Sequence, residues 1–252
     1  MIKRFKLHAA AASVALALGL ASGQAAAAPI KVALELALLV DVSGSVDDTE
    51  FALQRNGYVQ AFQSAAIQNA IIARGGIAVT YIVWSGAAQQ NQQVGWTVIT
   101  NAAESNAFAA AIAATPQVFQ GLTAPGSAIN FATPLFNNGI DSNRQVIDVS
   151  GDGQENDGAN TATARNNALA AGIDAINGLA IGDAALLAWY QNNIVGGPTG
   201  FALQANDFAD FASTVQTKIG REITGTVPEP GTLALLGLAG VGFAAFRRRQ
   251  AA

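Results

Sequence analysis

The stretch VALELALLV, residues 32 to 40, is apolar at all but one position, and the chain turns polar directly after it with DVSGSVDD, residues 41 to 48. A strand with one wet face would alternate apolar and polar residues. A nearly continuous apolar run is instead a strand covered on both faces, as in a parallel sheet flanked by helices. Asp41, Ser43 and Ser45, an acid and two hydroxyls at alternate positions, then fall at the strand's carboxyl end. Open α/β sheets bind ligands at that edge.

Further strands alternate with helical segments up to residue 224. Asp47 followed by Glu50 makes a capping-box start, and Phe51, Tyr58, Phe62 and Ala66 recur at helical spacing until Gly75-Gly76. IAVTYIVWS (77 to 85) reads as a strand, QQNQQ as a polar turn, and VGWTVIT (94 to 100) as a short antiparallel edge strand. A helix over NAAESNAFAAAIAAT stops at Pro116, and the helical stretch SAINFATPLFNN should kink or stop early at Pro134. RQVIDVS (144 to 150) is a strand, after which NTATARNNALAAG, IDAINGLAI and AALLAWYQNN read as helix, strand and helix. GFALQA and the amphipathic NDFADFASTVQTKIGREI close a single domain. The order predicts an α/β fold, a doubly wound, mostly parallel sheet with helices on both faces and one antiparallel edge strand.

Two later loops repeat the pattern of the first. QGLTAPGSA (120 to 128) puts Thr123 in a glycine-rich turn before a helix, and VSGDGQENDG (149 to 158) offers Asp152 between two glycines after a buried strand. In a doubly wound sheet all three loops can converge on one crevice. Two carboxylates and three hydroxyls make a hard, oxygen-only donor set suited to Mg²⁺ or Mn²⁺, and less to Ca²⁺.

Other polar residues have structural readings. Asp47 and Asp48 suit a helix cap, Asp148 lies inside a strand where it can orient the loops, and DGQENDG departs from EF-hand spacing. Trp84 and Trp96 lie in strand patterns and are expected to pack. The lone histidine, His8, sits at the extreme start and there is no cysteine, so serine or cysteine triads and histidine zinc sites are missing from the rest of the chain. No glycine-rich nucleotide motif is present either. Residues 28 to 228 carry a net charge of −9, which argues against nucleic acid as a partner.

The ends are built differently. Lys3, Arg4 and Lys6, an apolar stretch from Ala9 to Ala21 and alanines near Ala27 have the three parts of a secretory signal peptide, residues 1 to 27. At the other end Val227-Pro228-Glu229-Pro230, an apolar segment from Gly231 to Phe246 and Arg247-Arg248-Arg249 resemble the PEP-CTERM sorting signal of Gram-negative bacteria. That resemblance implies transient membrane insertion through 231 to 246, handling by an exosortase after a signal peptidase, and a place at the cell surface or in the extracellular matrix. A plain tail anchor is the alternative reading of the same apolar length.

Between these ends, residues 28 to 226, the D-x-S-x-S of Asp41, Ser43 and Ser45, the later Thr123 and the later Gly-Asp-Gly at Asp152 resemble the von Willebrand factor type A family in residue type and order. FALQRNGY, RQVIDVSGDG and DFADF are similar to a bacterial branch of it with no established function. The resemblance implies the Rossmann-like fold of that family and a metal-ion-dependent adhesion site (MIDAS) in which Ser43 and Ser45 bind the ion directly while Asp41 and Asp152 act largely through water. It further implies a protein partner that presents Asp or Glu to the ion. Two rivals remain: a structural matrix protein whose ion only stabilises the fold, and an aspartyl phosphotransfer enzyme. The latter wants a second acid where Ser43 stands.

Overall fold

The computed structural model describes residues 31–225. The expected signal peptide and the expected apolar tail lie outside them. Among the described residues no helix is long and apolar enough to cross a membrane.

The first apolar run forms β2 (Leu34–Asp41), after the two-residue β1 (Lys31–Val32), and every residue of β2 is buried. Leu34, Leu36, Leu38 and Val40 point into one core, and Ala37 and Leu39 into the other. The remaining strands are β3 (Ile77–Trp84), β4 (Gln90–Ile99), β5 (Asp141–Ser142), β6 (Gln145–Gly151), β7 (Ala175–Ile181) and β8 (Ala202–Ala205). The main sheet runs β4-β3-β2-β6-β7-β8; all its pairings are parallel except the β3–β4 edge, and β1 and β5 form a small parallel pair of their own. The chain leaves β2 for β3 on one side and later returns to β6 on the other. The switch point therefore lies between β2 and β6, where doubly wound sheets open a crevice.

Helices α1 (Asp48–Gln63), α2 (Ala65–Arg74), α3 (Ala102–Ala113) and α7 (Phe211–Thr224) cover one face, and α4 (Pro125–Ala132), α5 (Thr161–Ala170) and α6 (Ala184–Asn193) the other. Asp47 caps α1: its Oδ1 accepts from the N–H groups of Thr49 and Glu50, and Glu50 Oε2 accepts from the N–H of Asp47. The unit expected from Asp47 to Gly75 is two helices, because Ser64 takes an extended backbone and caps α2 through the N–H of Ile67. Pro134 acts as anticipated, since α4 ends at Ala132 and gives way to a 3-10 turn, Thr133–Phe136.

The edge strand also differs in extent. QNQQ is the start of β4, with the turn confined to Ser85–Gln89. Amide side chains hide the strand from sequence pattern but find local partners: Gln92 donates to Thr80 Oγ1 at 2.9 Å and Gln93 to the Pro116 carbonyl at 2.9 Å. The tryptophans pack as read, Trp84 fully buried and Trp96 edge-on to Phe136 with its indole N–H on the Leu135 carbonyl.

Asp148 does not orient the loops. It faces the α7 side of the sheet, where the ammonium of Lys218 lies against it and 2.6 Å from Glu222 Oε1, with all three side chains buried. Asn177 Nδ2 also donates to Glu222 Oε1 at 2.9 Å. Two acids thus share one base. Burial first, then the Glu222 charge, pushes Asp148 up to about 7 against the pull of Lys218. Burial pulls Lys218 down, yet Asp148 and Glu222 carry it above its ordinary value.

Lys218→Met should therefore cost about 3–5 kcal/mol of stability, because it strands two buried carboxylates. Chemical denaturation measures it. The folded-state pKa of Asp148 is raised, so its contribution to stability is present below about pH 4 and is lost as pH rises to about 7. Asp148→Asn should remove that part of the pH slope; an unchanged slope would place the proton elsewhere.

Candidate metal centre

The residues singled out in sequence, Asp41, Ser43, Ser45, Thr123 and Asp152, all lie on the carboxyl edge of the sheet at the β2/β6 switch point. Asp41 ends β2, Ser43 and Ser45 follow it, Asp152 follows β6, and Thr123 precedes α4. Their polar atoms form one connected set. Ser45 Oγ donates to Asp152 Oδ1 at 2.8 Å, the Ser43 and Ser45 hydroxyls are 3.3 Å apart, and Thr123 Oγ1 donates to Ser43 Oγ at 3.4 Å. The N–H of Ser43 donates to Asp41 Oδ1 at 2.8 Å, which curls the loop back on the strand end.

Each loop is pinned from outside the site. Gln54 of α1 donates to the Asp41 carbonyl at 3.0 Å, and the Gly44 N–H donates to the Gly121 carbonyl at 2.8 Å, joining the first loop to the second. A side chain at Gly44 would start 3.2 Å from the Gln120 carbonyl oxygen, so a larger residue there would press the two loops slightly apart. Ser85, just past β3, accepts from the Gly121 N–H and donates to the Leu122 carbonyl. Asn156 accepts from the Thr123 N–H at 2.8 Å and returns its own N–H to the Thr123 carbonyl at 3.0 Å, joining the second loop to the third. Glu155 and Asp157 are likewise structural, holding the N–H of Thr161 and of Ala87.

Asp41, Ser43 and Thr123 are buried, Asp152 is half-buried and Ser45 is exposed, so the set is closed on the protein side and open toward Ser45 and Asp152. Burial is the largest influence on Asp41 and repulsion from Asp152 the next; together they push it up to about 7, against the N–H and hydroxyl of Ser43 and the backbone of Asp152. Burial also raises Asp152, opposed by the Ser45 hydroxyl.

The site fits a divalent cation. Three carboxylates are fully buried in the two central strands: Glu35, Asp148 and Asp41. Glu35 accepts from Asn138, Ser142 and Gln145 at 2.7, 2.7 and 3.0 Å, and Asp148 has Lys218. Of the three, only Asp41 faces another acid with no base beside it, and its Oδ2 is buried without a hydrogen bond of normal geometry. Among the described residues no group of three or more His, Cys, Asp and Glu side chains could hold a metal ion, so an ion here would need the three hydroxyls. An open cavity of about 530 Å³ lies at the opposite sheet edge, between Asn130, Phe136, Gln145 and Asn167, and touches none of these groups.

The fold is that of von Willebrand factor type A domains. The chain belongs to the family described as "Protein of unknown function (DUF1194)", which matches residues 31–227, and residues 226–249 match the PEP-CTERM protein-sorting motif. That motif marks the chain for export to the surface or beyond. No curated protein matches. Among solved structures, proximal thread matrix protein 1 from the mussel byssus superposes with a TM-score of 0.58 at 11% identity, over 77% of this chain and 49% of that one. The pilus adhesin SpaC from Lactobacillus rhamnosus GG gives 0.55 at 16%, over 76% and 30%. A von Willebrand factor type A protein from Catenulispora acidiphila gives 0.54 at 13%, over 77% and 43%. This chain thus spans about half the length of the mussel protein and less of the other two. A further structure of the mussel protein is described with a zinc-occupied MIDAS motif.

In metal-free protein Asp41→Asn should raise the melting temperature by a few degrees, since the amide removes one of two facing charges and leaves an acceptor for the Ser43 N–H. A lower melting temperature in chelator would mean that the Asp41 charge is already compensated within the protein.

Proposed function

We propose that the chain is an exported, non-enzymatic binding module of a Gram-negative cell surface or extracellular matrix. It grips a protein partner through a divalent cation, Mg²⁺ or Mn²⁺, held by Asp41, Ser43, Ser45, Thr123 and Asp152. The observation that carries this reading is the connected set of hydroxyls and carboxylates around a buried Asp41 that has no positive partner. Hard oxygen donors and preformed loops suit a small ion that keeps some of its water. When bound, the ion supplies an open position for a carboxylate, so an Asp or Glu of a partner is the group it would take.

The chain's own residues set the approach. Ser45 and Asp152 lie on the solvent side, and Leu122, beside Thr123, is 56% exposed and offers an apolar contact next to the polar site. The zinc-occupied MIDAS of the mussel protein and the adhesin role named for the pilus protein agree in kind. A domain over 28–226, a signal peptide at 1–27 and a tail at 227–252 that inserts through 231–246 and is removed by an exosortase complete the reading.

The purified protein should bind close to one equivalent of Mg²⁺ or Mn²⁺ by calorimetry, and Asp41→Ala should abolish the heat. Equal binding by both proteins would sink the assignment. Partner capture from the producing cell's outer fraction should fail in chelator, return with Mg²⁺, and be lost when one acidic residue of the partner becomes its amide. Thr123→Ala should weaken capture more than folding. Capture that survives chelator while the melting temperature falls would make the ion structural only. Mass spectrometry of the secreted protein should find Arg247-Arg248-Arg249 removed; an intact tail would mean a permanent anchor.

A further inference from the structure

The orphaned oxygen of Asp41 has a neighbour that the motif residues do not include. Tyr190, on α6, is fully buried, and its hydroxyl also lacks a hydrogen bond of normal geometry. Two buried polar groups without partners are unusual, and each calls for a reason. Here they share a location.

Two glycines define it. A Cβ placed on Gly151 at the end of β6 would lie 2.6 Å from Asp41 Oδ2 and 2.8 Å from the Tyr190 hydroxyl. One placed on Gly178 of β7 would lie 2.8 Å from Tyr190 Cδ1 and 3.6 Å from Tyr190 Cβ. The Tyr190 side chain therefore crosses β7 over Gly178 and ends over Gly151, beside the last residue of β2. Any larger residue at either position would block it. Both oxygens lie within 2.8 Å of the one Cβ position at Gly151, so they are at most the sum of those two distances apart, a gap that one water can bridge.

The chemistry of the pair is complementary. A phenol offers one O–H to donate, and a carboxylate only accepts. A phenol, with an ordinary pKa of about 10, keeps its proton at neutral pH. Asp41 Oδ1 is already fixed by the Ser43 N–H, whereas Oδ2 has nothing of comparable geometry to fix it. Donors behind a metal's ligands orient them and tune their affinity, typically by 10–100-fold.

The geometry points to Tyr190 as a positioning residue of the metal centre: its hydroxyl donates to Asp41 Oδ2, directly or through one water, and fixes the carboxylate for the ion. This rests on the metal-binding reading above. Tyr190 does not touch the ion, and its ring leaves the partner-facing side at Ser45 free.

Calorimetric Mg²⁺ titration of the wild-type protein and of Tyr190→Phe tests it, with the melting temperature of each measured in chelator. The expected result is a dissociation constant 10–100-fold weaker in Tyr190→Phe with the chelator melting temperature unchanged. A wild-type dissociation constant in Tyr190→Phe overturns the inference and leaves the metal site standing. A lower melting temperature without an affinity change also overturns it, by making the hydroxyl a structural group only. Failure of the wild type to bind Mg²⁺ removes the metal reading itself, and this inference with it. Should Tyr190→Phe not fold, wild-type protein carrying carbon-13 at tyrosine Cζ serves, since it has three tyrosines to resolve. The Tyr190 signal, assigned by elimination with Tyr58→Phe and Tyr81→Phe, should move on Mg²⁺ addition. A signal that stays fixed while the ion binds overturns the proposal.

Discussion

The burial of β2 on both faces is the constraint on which the rest of the structure depends. With Leu34, Leu36, Leu38 and Val40 in one core and Ala37 and Leu39 in the other, no side chain of this strand meets water until the chain has passed its end. A charge inside such a strand costs several kcal/mol unless something compensates it. The fold meets that cost in three ways. Glu35, at the amino end of β2, is surrounded by amide and hydroxyl donors; Asp148, in the neighbouring β6, is matched by Lys218; Asp41, at the carboxyl end of β2, is left facing Asp152. The first is met by neutral donors, and the second by a base that Asp148 shares with Glu222. The third has no base beside it, and that gap is what supports the proposed cation.

The loops around that third carboxylate are held mainly by backbone contacts. Gly44 to Gly121, Thr123 to Asn156 and Leu122 to Ser85 tie the three loops to each other and to the end of β3. Because these ties leave the side-chain oxygens of the five candidate ligands free, using only the backbone of Thr123, they can persist whether or not an ion is present. A site of this kind loses little conformational entropy on binding, which is the general benefit of preorganisation. The contrast between the buried Asp41, Ser43 and Thr123 and the more open Ser45 and Asp152 then gives the site a direction: ligand groups behind, solvent in front.

Sequence pattern made some of this legible and not the rest, for reasons that differ residue by residue. The alternation of strands and helices was readable because central parallel strands are apolar without interruption and because Asp47, Gly75 and Pro134 punctuate the helices by local chemistry. The start of β4 was not, because an edge strand with half-buried faces can carry glutamines, which look like a turn. The break at Ser64 was hidden because Ser64-Ala65-Ala66 has the composition of a helix interior, while the capping bond to Ile67 depends on the backbone turning there. The five candidate ligands could be placed on three loops, since each loop follows a strand end or precedes a helix, and the resemblance to the von Willebrand factor type A motif joined them into one set. Lys218 and Glu222 left a signal that could have been read: both lie on the apolar stripe of α7, at helical spacing from Phe211, Val215 and Ile219. A lysine and an acid on a buried stripe call for a partner, and Asp148 in its buried strand was the available one.

Tyr190 left no such signal, because its role arises from three strands at once. Its position on α6 reads as ordinary core packing, and most of its ring does that. What distinguishes it is the pair of glycines beneath, Gly178 in β7 and Gly151 in β6, whose missing side chains are meaningful only once the strands are set side by side. Either glycine alone reads as a weak point in a strand, costing backbone entropy with no packing in return. Together they open a path by which a donor rooted in an outer helix can reach the end of the central strand. The loss of packing in β6 and β7 and the uncompensated charge at the end of β2 are therefore linked: the sheet gives up two side chains where the carboxylate most needs a group to hold it in place.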